Sequence, residues 1–551
     1  MAVLSESAKS SLQGALGRFM RQYGAAQETQ QTLIKDILRR NAGTVFGKEH
    51  GFGKIRTIED YQRQVPIRDW AEISPYVDAV VEGRRDTLTK EAPFFYQRTT
   101  GTTGKPKMIP FTRRCQAASV LTHRMWIYKH LLDCPNLLKG RVMALLNAGI
   151  DGYTARGEAY GATSGNIYFR MPPIIRRAYS HPYDVFQIAD VEARRYTLLR
   201  FAVEQNCSFA FTGNPSSLLA IFEFADRHGA RLIRDIHDGT LASEFDVPDH
   251  LRVFALNELH PNSRRARVLA KAMERGGKLR PVDYWPDLQA LGCWIGGSMG
   301  HFSHMLREWC GERFHFRDVG YMASEGVFSI PLGNDNPDGV LALHAAFFEF
   351  VPERDFGRAG SPVLLAHEIE PGRNYHVIIT TTGGLYRYAI NDVIRVSATQ
   401  AGSPTIRFLY KGGNVQNLQG ELMTVDHAMR TMSALTAEFG IKFHHFQVVA
   451  ELNDRRYVLY IEPAGEMSRP VLQQLLPSFD RELGKANENY AQFRADRLIG
   501  APCLRVMSRG WFDRLLQNYI ARTGRDSQFK PSVLASAVEY PEMVETSIEL
   551  G

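Results

Sequence analysis

The chain has 551 residues, too many for one compact core, and length alone suggests roughly two to four domains. Hydrophobic residues make up 44% and charged residues 23%, the balance of a soluble globular protein, and no apolar run of about 18 residues offers a membrane span. The net charge of +7, from 66 Lys and Arg against 59 Asp and Glu, is spread along the chain without a dense basic run or interleaved aromatics. That pattern argues against nucleic acid and suits the attraction of nucleotides and small carboxylates.

The N-terminus, MAVLSESAKSSLQGALGRFMRQYG, lacks the basic start and continuous apolar core of a secretory signal. Leu12, Leu16 and Phe19 instead share one face of an amphipathic helix, so a cytoplasmic location is expected. A second helix follows, with Leu33, Ile34, Ile37 and Leu38 in helical period. Helices and loops rich in Gly and Pro then alternate as far as Glu91. The six cysteines form no Cys-x-x-Cys pair, which argues against a zinc ribbon or disulfide scaffold and fits reduced thiols.

The stretch FFYQRTTGTTGKPKMIPFT, Phe94 to Thr112, packs four threonines and two glycines into one loop, with Lys105 and Lys107 beyond it. Glycine lets backbone N–H groups turn toward a ligand, and threonine adds hydroxyl donors. Donors and cations converging on one point suit a phosphate. An ordinary hairpin turn between strands near Tyr96 and Met108–Pro110 fits the same residues. A helix is expected next, from about Cys115 to Leu132. Beyond it short apolar runs alternate with helices: RVMALLNAGI, the helix in EARRYTLLRFAVEQN, SFAFTGNP, and a helix from Ser216. Strand-then-helix alternation predicts an α/β body with largely parallel strands. Further strands are expected in LGCWIGG, FRDVGYM, GVLALHAAFFEFVP, YHVIITTTGG and VIRVSA.

Past FLYKGGNVQ the texture changes to an α+β unit of ordinary domain size, with a hairpin turning at Asn453–Asp454. The boundary is expected near Phe408 to Asn414, where Gly412 and Gly413 would hinge, which divides the chain into residues 1–410 and 411–551.

Three short stretches carry chemistry. In GYMASEG, Tyr321 can stack on a purine and Glu325 can hold a magnesium ion; an exposed strand-end loop is the plainer alternative. In GGLYRYAINDVIRV, Asp392 can accept two ribose hydroxyls or serve as a polar turn residue. GGSMG, Gly296 to Gly300, mimics a nucleophile elbow at Ser298. An acid and a later histidine would be needed, and His344, His367, His376, His444 and His445 sit in no recognisable catalytic loop. A serine hydrolase is therefore a remote alternative, with Ser298 better read as a small pocket residue. His301 and His304 lack a third ligand for a metal.

In this order the motifs resemble the acyl acid amido synthetases, a family of the adenylate-forming superfamily named for auxin-responsive promoters in plants and also present as bacterial members. TTGTTGKPK resembles the superfamily's phosphate loop. TVFGKEHGF, YWPDLQALGCWIGGSM, GYMASEG, FFEFVP, TTTGGLYRYAINDVIRV, NENYAQFRADRLIG, LRVMSRGWFDRLL and GRDSQFKPSVL resemble the narrower family, from about Thr44 to Leu534. The resemblance implies an α/β fold with a large N-terminal adenylate-forming domain of mixed sheets and flanking helices, and a smaller mobile α+β C-terminal domain. It implies ATP-dependent activation of a small carboxylic acid to an acyl-adenylate, then transfer to an amine or amino acid, with ATP and Mg2+ as cofactors. It assigns Thr99, Thr100, Gly101, Thr102, Thr103, Gly104 and Lys107 to the phosphates, Tyr321 and Ser324 to the nucleotide, Glu325 to magnesium and Asp392 to the ribose. Lys530 resembles the C-terminal lysine that enters the site during adenylation. Ser216, Trp294 and Ser298 are candidates for the acid pocket. A monomer or weak homo-oligomer is expected, with neither nucleic acid nor membrane as partner. Two departures stand out. The loop is one residue shorter than the family's usual loop, which keeps an acyl-CoA (thioester) ligase as the alternative, and Asn391 replaces the glycine before the ribose aspartate. Because bacterial members often act on unknown acids, no plant hormone is carried over.

Overall fold

The computed structural model describes residues 5–99, 106–146, 149–162, 165, 168, 176–300, 302–358, 360–400, 403–412, 415–526 and 529–550. The chain divides into two compact units, Met1–Phe408 and Leu409–Gly551.

The first unit opens with helices α1 (Glu6–Tyr23) and α2 (Ala26–Asn41), as the apolar spacing predicts. The buried Gln30 of α2 donates from Nε2 to the carbonyls of Leu343 and Ala346, at 2.6 and 2.8 Å, and accepts the Phe348 N–H at 2.7 Å. One glutamine thus satisfies backbone groups more than 300 residues away that burial would otherwise leave costly. Helix α3 (Trp70–Val81) starts at a capping box between Asp69 and Glu72.

Four sheets or ribbons position the chemistry. Strands β1 (Phe95–Arg98) and β2 (Met108–Phe111) pair antiparallel, and β5 (Ala159–Gly161) and β4 (Gly152–Tyr153) extend that sheet. Helix α4 (Arg113–Asp133) follows β2, capped by the Thr112 hydroxyl, which accepts the Cys115 N–H. A second sheet is wholly parallel, in the order β3 (Arg141–Ala144), β6 (Cys207–Phe211), β7 (Ala290–Gly292), β8 (His315–Arg317). Between its strands run α5 (Val191–Glu204) and α6 (Pro215–Arg227), the latter started by the Asn214 cap and Pro215. Here the expected strand-then-helix parallel arrangement holds.

It fails in the largest sheet. Seven strands in the order β11 (Ser329–Pro331), β12 (Gly339–Leu341), β17 (Ser403–Lys411), β16 (Tyr388–Gln400), β15 (Asn374–Thr381), β13 (Ala346–Pro352), β14 (Leu364–Leu365) form it. Pairs β13–β15, β15–β16 and β11–β12 are antiparallel. No long helix intervenes between these strands, so short turns can reverse the chain. The body is therefore built on mixed sheets. Its core gathers Phe348, Phe350, Val377, Ile379 and Ile394, all buried, and β13 is covered on both faces.

The second unit is an α+β domain. Helices α8 (Val425–Phe439), α9 (Arg469–Ala486) and α10 (Trp511–Thr523) accompany a sheet in the order β23 (Leu534–Ala535), β20 (Phe443–Glu451), β21 (Arg456–Pro463), β22 (Cys503–Met507), β24 (Val544–Glu549). A two-stranded ribbon, β18 (Val415–Gln416) with β19 (Met423–Thr424), precedes α8. The expected β20–β21 hairpin is present, with Glu451 opposite Arg456, so its loop is longer than an Asn453–Asp454 turn. The left-handed residue in that loop is Arg455, at φ +47°. Among the described residues no helix is long and apolar enough to cross a membrane.

Candidate active site

Three segments distant in sequence meet around Tyr388. The first is the stem of the Gly-rich loop. Lys107 donates its N–H to Thr99 Oγ1 at 3.0 Å, and Thr99 returns its N–H to the Lys107 carbonyl at 3.1 Å, which closes the base of the loop. Thr100, Gly101, Thr102, Thr103 and Gly104 lie outside the described residues. Lys107 Nζ donates to the Tyr388 hydroxyl at 2.9 Å and lies 5.2 Å from the Trp70 ring centroid, a cation–π distance.

The second segment is a tight ribbon, β9 (Met322–Ala323) against β10 (Gly326–Val327), whose turn carries Ser324 and Glu325. Glu325 is half-buried; burial and then the Asp392 carboxylate raise the pKa of Tyr321 with Glu325 adding to them, and burial and then the Glu325 charge raise that of Tyr388. Both phenols are therefore neutral at physiological pH.

The third segment is β16. Between the register pairs Ala389–Ile378 and Val393–His376, three residues, Ile390 to Asp392, stand opposite Val377 alone. Asn391 in this bulge has φ +62°, the left-handed region where glycine is easiest and asparagine is among the tolerated alternatives. The departure from the family's glycine thus preserves the backbone shape. A bulge re-aims side chains, and here it carries Asp392 to the Tyr321 hydroxyl, which donates to Oδ2 at 2.7 Å. Asp392 and Tyr321 are each only 4% exposed. One face of Tyr321 stacks on Phe408, with centroids 5.6 Å apart. The Tyr321 hydroxyl takes one of the four acceptor positions of the Asp392 carboxylate, which leaves positions on both oxygens for ribose hydroxyls, whereas a purine on that tyrosine face takes the position of Phe408.

Local packing locks these segments together. A Cβ on Gly383, in the turn between β15 and β16, would sit 2.7 Å from the Pro110 carbonyl oxygen, so only glycine lets that turn abut β2. Arg68 pairs with the strand from the other side, its N–H on the Arg387 carbonyl and its carbonyl on the Ala389 N–H, at 3.0 and 2.8 Å. The buried Arg387–Glu349 ion pair, at 2.9 Å, is completed by the carbonyls of Gln62 and Val65.

Beside the ribbon lies a small, mostly apolar cavity of about 20 Å³, room for about one water, lined by Thr122, His123, Trp126, Phe211, Val319, Met322, Val327 and Ser329. It backs onto the Met322–Val327 pair of the ribbon. The three residues expected to line an acid pocket lie elsewhere in this unit. Ser216 is buried, its hydroxyl donating to Asn214 Oδ1 at 2.8 Å inside the α6 cap. Trp294 donates from Nε1 to the Gly320 carbonyl at 2.9 Å. Ser298 lies in a one-turn 3₁₀ segment, Gly297–Met299, before α7 (Phe302–Cys310). This is a turn set off from β7 rather than a sharp strand-to-helix elbow. Asp318 organises that region, accepting the N–H groups of Ile295 and Gly320 at 2.8 and 2.7 Å; burial nevertheless raises its pKa to about 7. Of the histidines weighed as partners for Ser298, His344 shares Nε2 between Thr122 Oγ1 and the Ala118 carbonyl, His376 stacks on Phe356, and His445 packs on Trp511 in the second unit.

Lys530 is exposed on the second unit, and its neighbours are anchored. Phe529 packs on Phe512 and Tyr519, and the Ser532 and Val533 carbonyls accept from Gln447 Nε2 and the Val448 N–H.

Sequence reasoning passed over Tyr388, Trp70, Asp318 and the cavity residues. Tyr388 had a signal, since it lies in the same GGLYRYAIND stretch as Asp392. The others converge only through folding.

Fold and site together define a two-unit α/β protein in which the stem of the Gly-rich loop, the acidic ribbon and the bulged strand meet at one place. Three family models match in succession, described as the GH3 family N-terminal domain over residues 15–314, the GH3 family central domain over 339–411 and the GH3 family C-terminal domain over 424–539. The chain belongs to the GH3 family. It is 25% identical over 538 residues to jasmonoyl-L-amino acid synthetase JAR6 of Nicotiana attenuata, covering 92% of this chain and 90% of that protein. It is 24% identical over 552 residues to indole-3-acetic acid-amido synthetase GH3.10 of Arabidopsis thaliana, covering 92% of each. Its fold matches the structure of AtGH3.15 acyl acid amido synthetase in complex with 2,4-DB at a TM-score of 0.83 and 19% identity, covering 100% of this chain and 98% of that one.

Proposed function

We propose that this protein is an acyl acid amido synthetase: with ATP it activates a small carboxylic acid to an acyl-adenylate, then transfers the acyl group to an amine or amino acid. The observation that carries the reading is the convergence of Lys107, Glu325, Tyr321 and Asp392 beside an apolar cavity in a member of the GH3 family.

Attack of a carboxylate on the α-phosphate needs in-line positioning and neutralised charge rather than a covalent nucleophile. The loop from Thr99 to Gly104 and Lys107 would hold the phosphates, Tyr321 and Ser324 the base side of the nucleotide, and Asp392 the ribose. Among the described residues no three His, Cys, Asp or Glu side chains converge as a metal cage. A single carboxylate, Glu325, fits magnesium, which takes its remaining ligands from phosphates and water. When bound, the ion would offset charge on the phosphate oxygens. Lys530 would stabilise the leaving pyrophosphate during adenylation, and the second unit, joined near Gly412, would move between the half-reactions. Ser216, Trp294 and Ser298 remain our candidates for lining the pocket of the acid. Placement among the bacterial members, in the cytoplasm and as a monomer or weak homo-oligomer, belongs to the same proposal, and no plant hormone is carried over.

Carboxylate-dependent exchange of labelled pyrophosphate into ATP should appear across a panel of small acids. No exchange with any acid, together with no ATP binding by calorimetry, would sink the reading. With amino acids and coenzyme A both present, mass spectrometry should find the amide. A dominant thioester would favour the ligase alternative raised by the shortened loop.

A further inference from the structure

Lys107 is held at both ends of its side chain. Its backbone is fixed by the reciprocal bonds with Thr99 that close the stem of the Gly-rich loop. At the far end, its ammonium donates to the Tyr388 hydroxyl at 2.9 Å and lies 5.2 Å from the Trp70 ring centroid and 5.7 Å from that of Tyr388. Tyr388 is itself anchored. It is 1% exposed, and its ring meets Trp70 edge-on with centroids 6.2 Å apart. Arg68 bonds to the backbone on either side of it, at Arg387 and Ala389. Burial, and then the charges of Glu325 and Asp392, raise the phenol pKa and keep its proton on. A neutral hydroxyl and an aromatic ring therefore steer the ammonium without cancelling its charge. Without such partners a lysine is a point charge on a flexible four-carbon stem, and ordering that stem costs entropy. The same charges that act on the phenol, those of Glu325 and Asp392, also mark where the ammonium sits: among the side chains read as magnesium and ribose ligands.

We propose that Tyr388 is a positioning residue for the phosphate chain of the nucleotide: its buried hydroxyl holds the Lys107 ammonium at the stem of the Gly-rich loop, aimed at the anionic oxygens of a triphosphate. The inference rests on the nucleotide reading of this site. Tyr388 acts through Lys107 and needs no contact with the nucleotide to do so. A cation ordered in advance loses little freedom when a polyanion arrives, so the gain falls on ligands that carry phosphates. A nucleoside without phosphates gains nothing from it. Removing the hydroxyl leaves Lys107 its charge but not its aim, which weakens triphosphate binding selectively.

The test uses the full-length protein and calorimetry with two probes, ATP and adenosine. Tyr388→Phe keeps the ring against Trp70 and removes only the hydroxyl. It should weaken ATP about tenfold, the scale of one hydrogen bond to a charged group, and leave adenosine within about twofold. Adenosine also reports that the variant is folded. Pyrophosphate exchange should show the loss as a raised KM for ATP, with kcat changed less. In Lys107→Ala, which weakens ATP by itself, adding Tyr388→Phe should cost nothing further, because the hydroxyl has no ammonium left to aim. ATP affinity within about twofold of wild type in Tyr388→Phe overturns the inference. So does an equal loss for adenosine, which would make Tyr388 a structural residue, and so does a full tenfold effect in the Lys107→Ala background. If exchange proceeds while Tyr388→Phe binds ATP as wild type does, adenylation stands and the positioning role falls. If the Lys107-dependent loss of ATP is found while no acid supports exchange, the positioning role stands and adenylation falls.

Discussion

Asp392 and Tyr321 were each given a nucleotide role by the residues around them, but their mutual hydrogen bond joins positions 71 residues apart. No local pattern reports such a bond. In Asp392→Asn the amide oxygen can still accept from Tyr321, so the fold should be retained while the charge is lost. Pyrophosphate exchange at varied ATP should then show a rise in the KM for ATP of about tenfold or more, from the loss of a charged acceptor. An unchanged KM would remove Asp392 from the nucleotide site. Ser298 supplies a contrasting test. With a turn at Gly297–Met299 in place of a strained elbow, a fluorophosphonate probe should leave it unlabelled. Stoichiometric labelling that disappears in Ser298→Ala would restore the hydrolase reading.

At the scale of elements, the bulge in β16 shows where periodicity stops being informative. The stretch VIRVSA reads correctly as strand, yet three residues opposite one break the alternation that would tell which face Asp392 occupies. Asn391, at φ +62°, is tolerated there more readily than a residue lacking a short polar side chain. Asn391→Gly should leave stability unchanged or raise it by up to ~1 kcal/mol, and Asn391→Ala should lower it by ~1 kcal/mol, from urea melts. If both behave alike, the backbone there is not left-handed in solution. The same limit explains the sheet error. Strand-then-helix alternation identifies the parallel sheet, but β11 to β17 follow one another through turns, and their partners are set by packing. The helices fared better. Expected as Cys115 to Leu132, α4 runs Arg113–Asp133, because helix propensity and the Thr112 cap are local properties.

Across the whole molecule, two expectations concern coupling and acid stability. Lys530→Ala should lower adenylation by about 10²-fold, the usual scale for one preorganised charge, while aminolysis of supplied acyl-adenylate stays within a few-fold. Equal damage to both half-reactions would argue against that role. Gly412→Pro should instead slow the full cycle by stiffening the proposed hinge. Burial lowers the pKa of His130 and His181 to about 3 and of His344 and His376 to about 4, so the fold keeps these rings neutral. An unfolded chain takes up their protons below about pH 6.5, so stability should be greatest above that pH and fall progressively toward pH 4. Asp318 works in the opposite direction, because its raised pKa makes its contribution decline as pH rises from about 4 to about 7. Four histidines should outweigh one aspartate. Replacing His344 by Gln should flatten the urea midpoint of the first unit between pH 6.5 and 4, removing roughly 3 kcal/mol of pH dependence at most. An unchanged slope would show that His344 protonates freely in the fold.

Much was legible before folding because it depends on neighbours in the chain. Helix faces and caps follow from short-range spacing, and the Gly-rich loop, the GYMASEG turn and the aspartate after Asn391 are contiguous motifs whose order marks the family. What tertiary structure decided involves distance in sequence. It brought Lys107 to Tyr388 and Tyr321 to Asp392, docked Gln30 on the carbonyls of Leu343 and Ala346, and assembled the cavity from α4, β6 and the β9–β10 ribbon with the residues flanking it. Contacts between distant segments carry no local sequence signature, since burial and hydrogen bonding across the fold select them after the chain has collapsed.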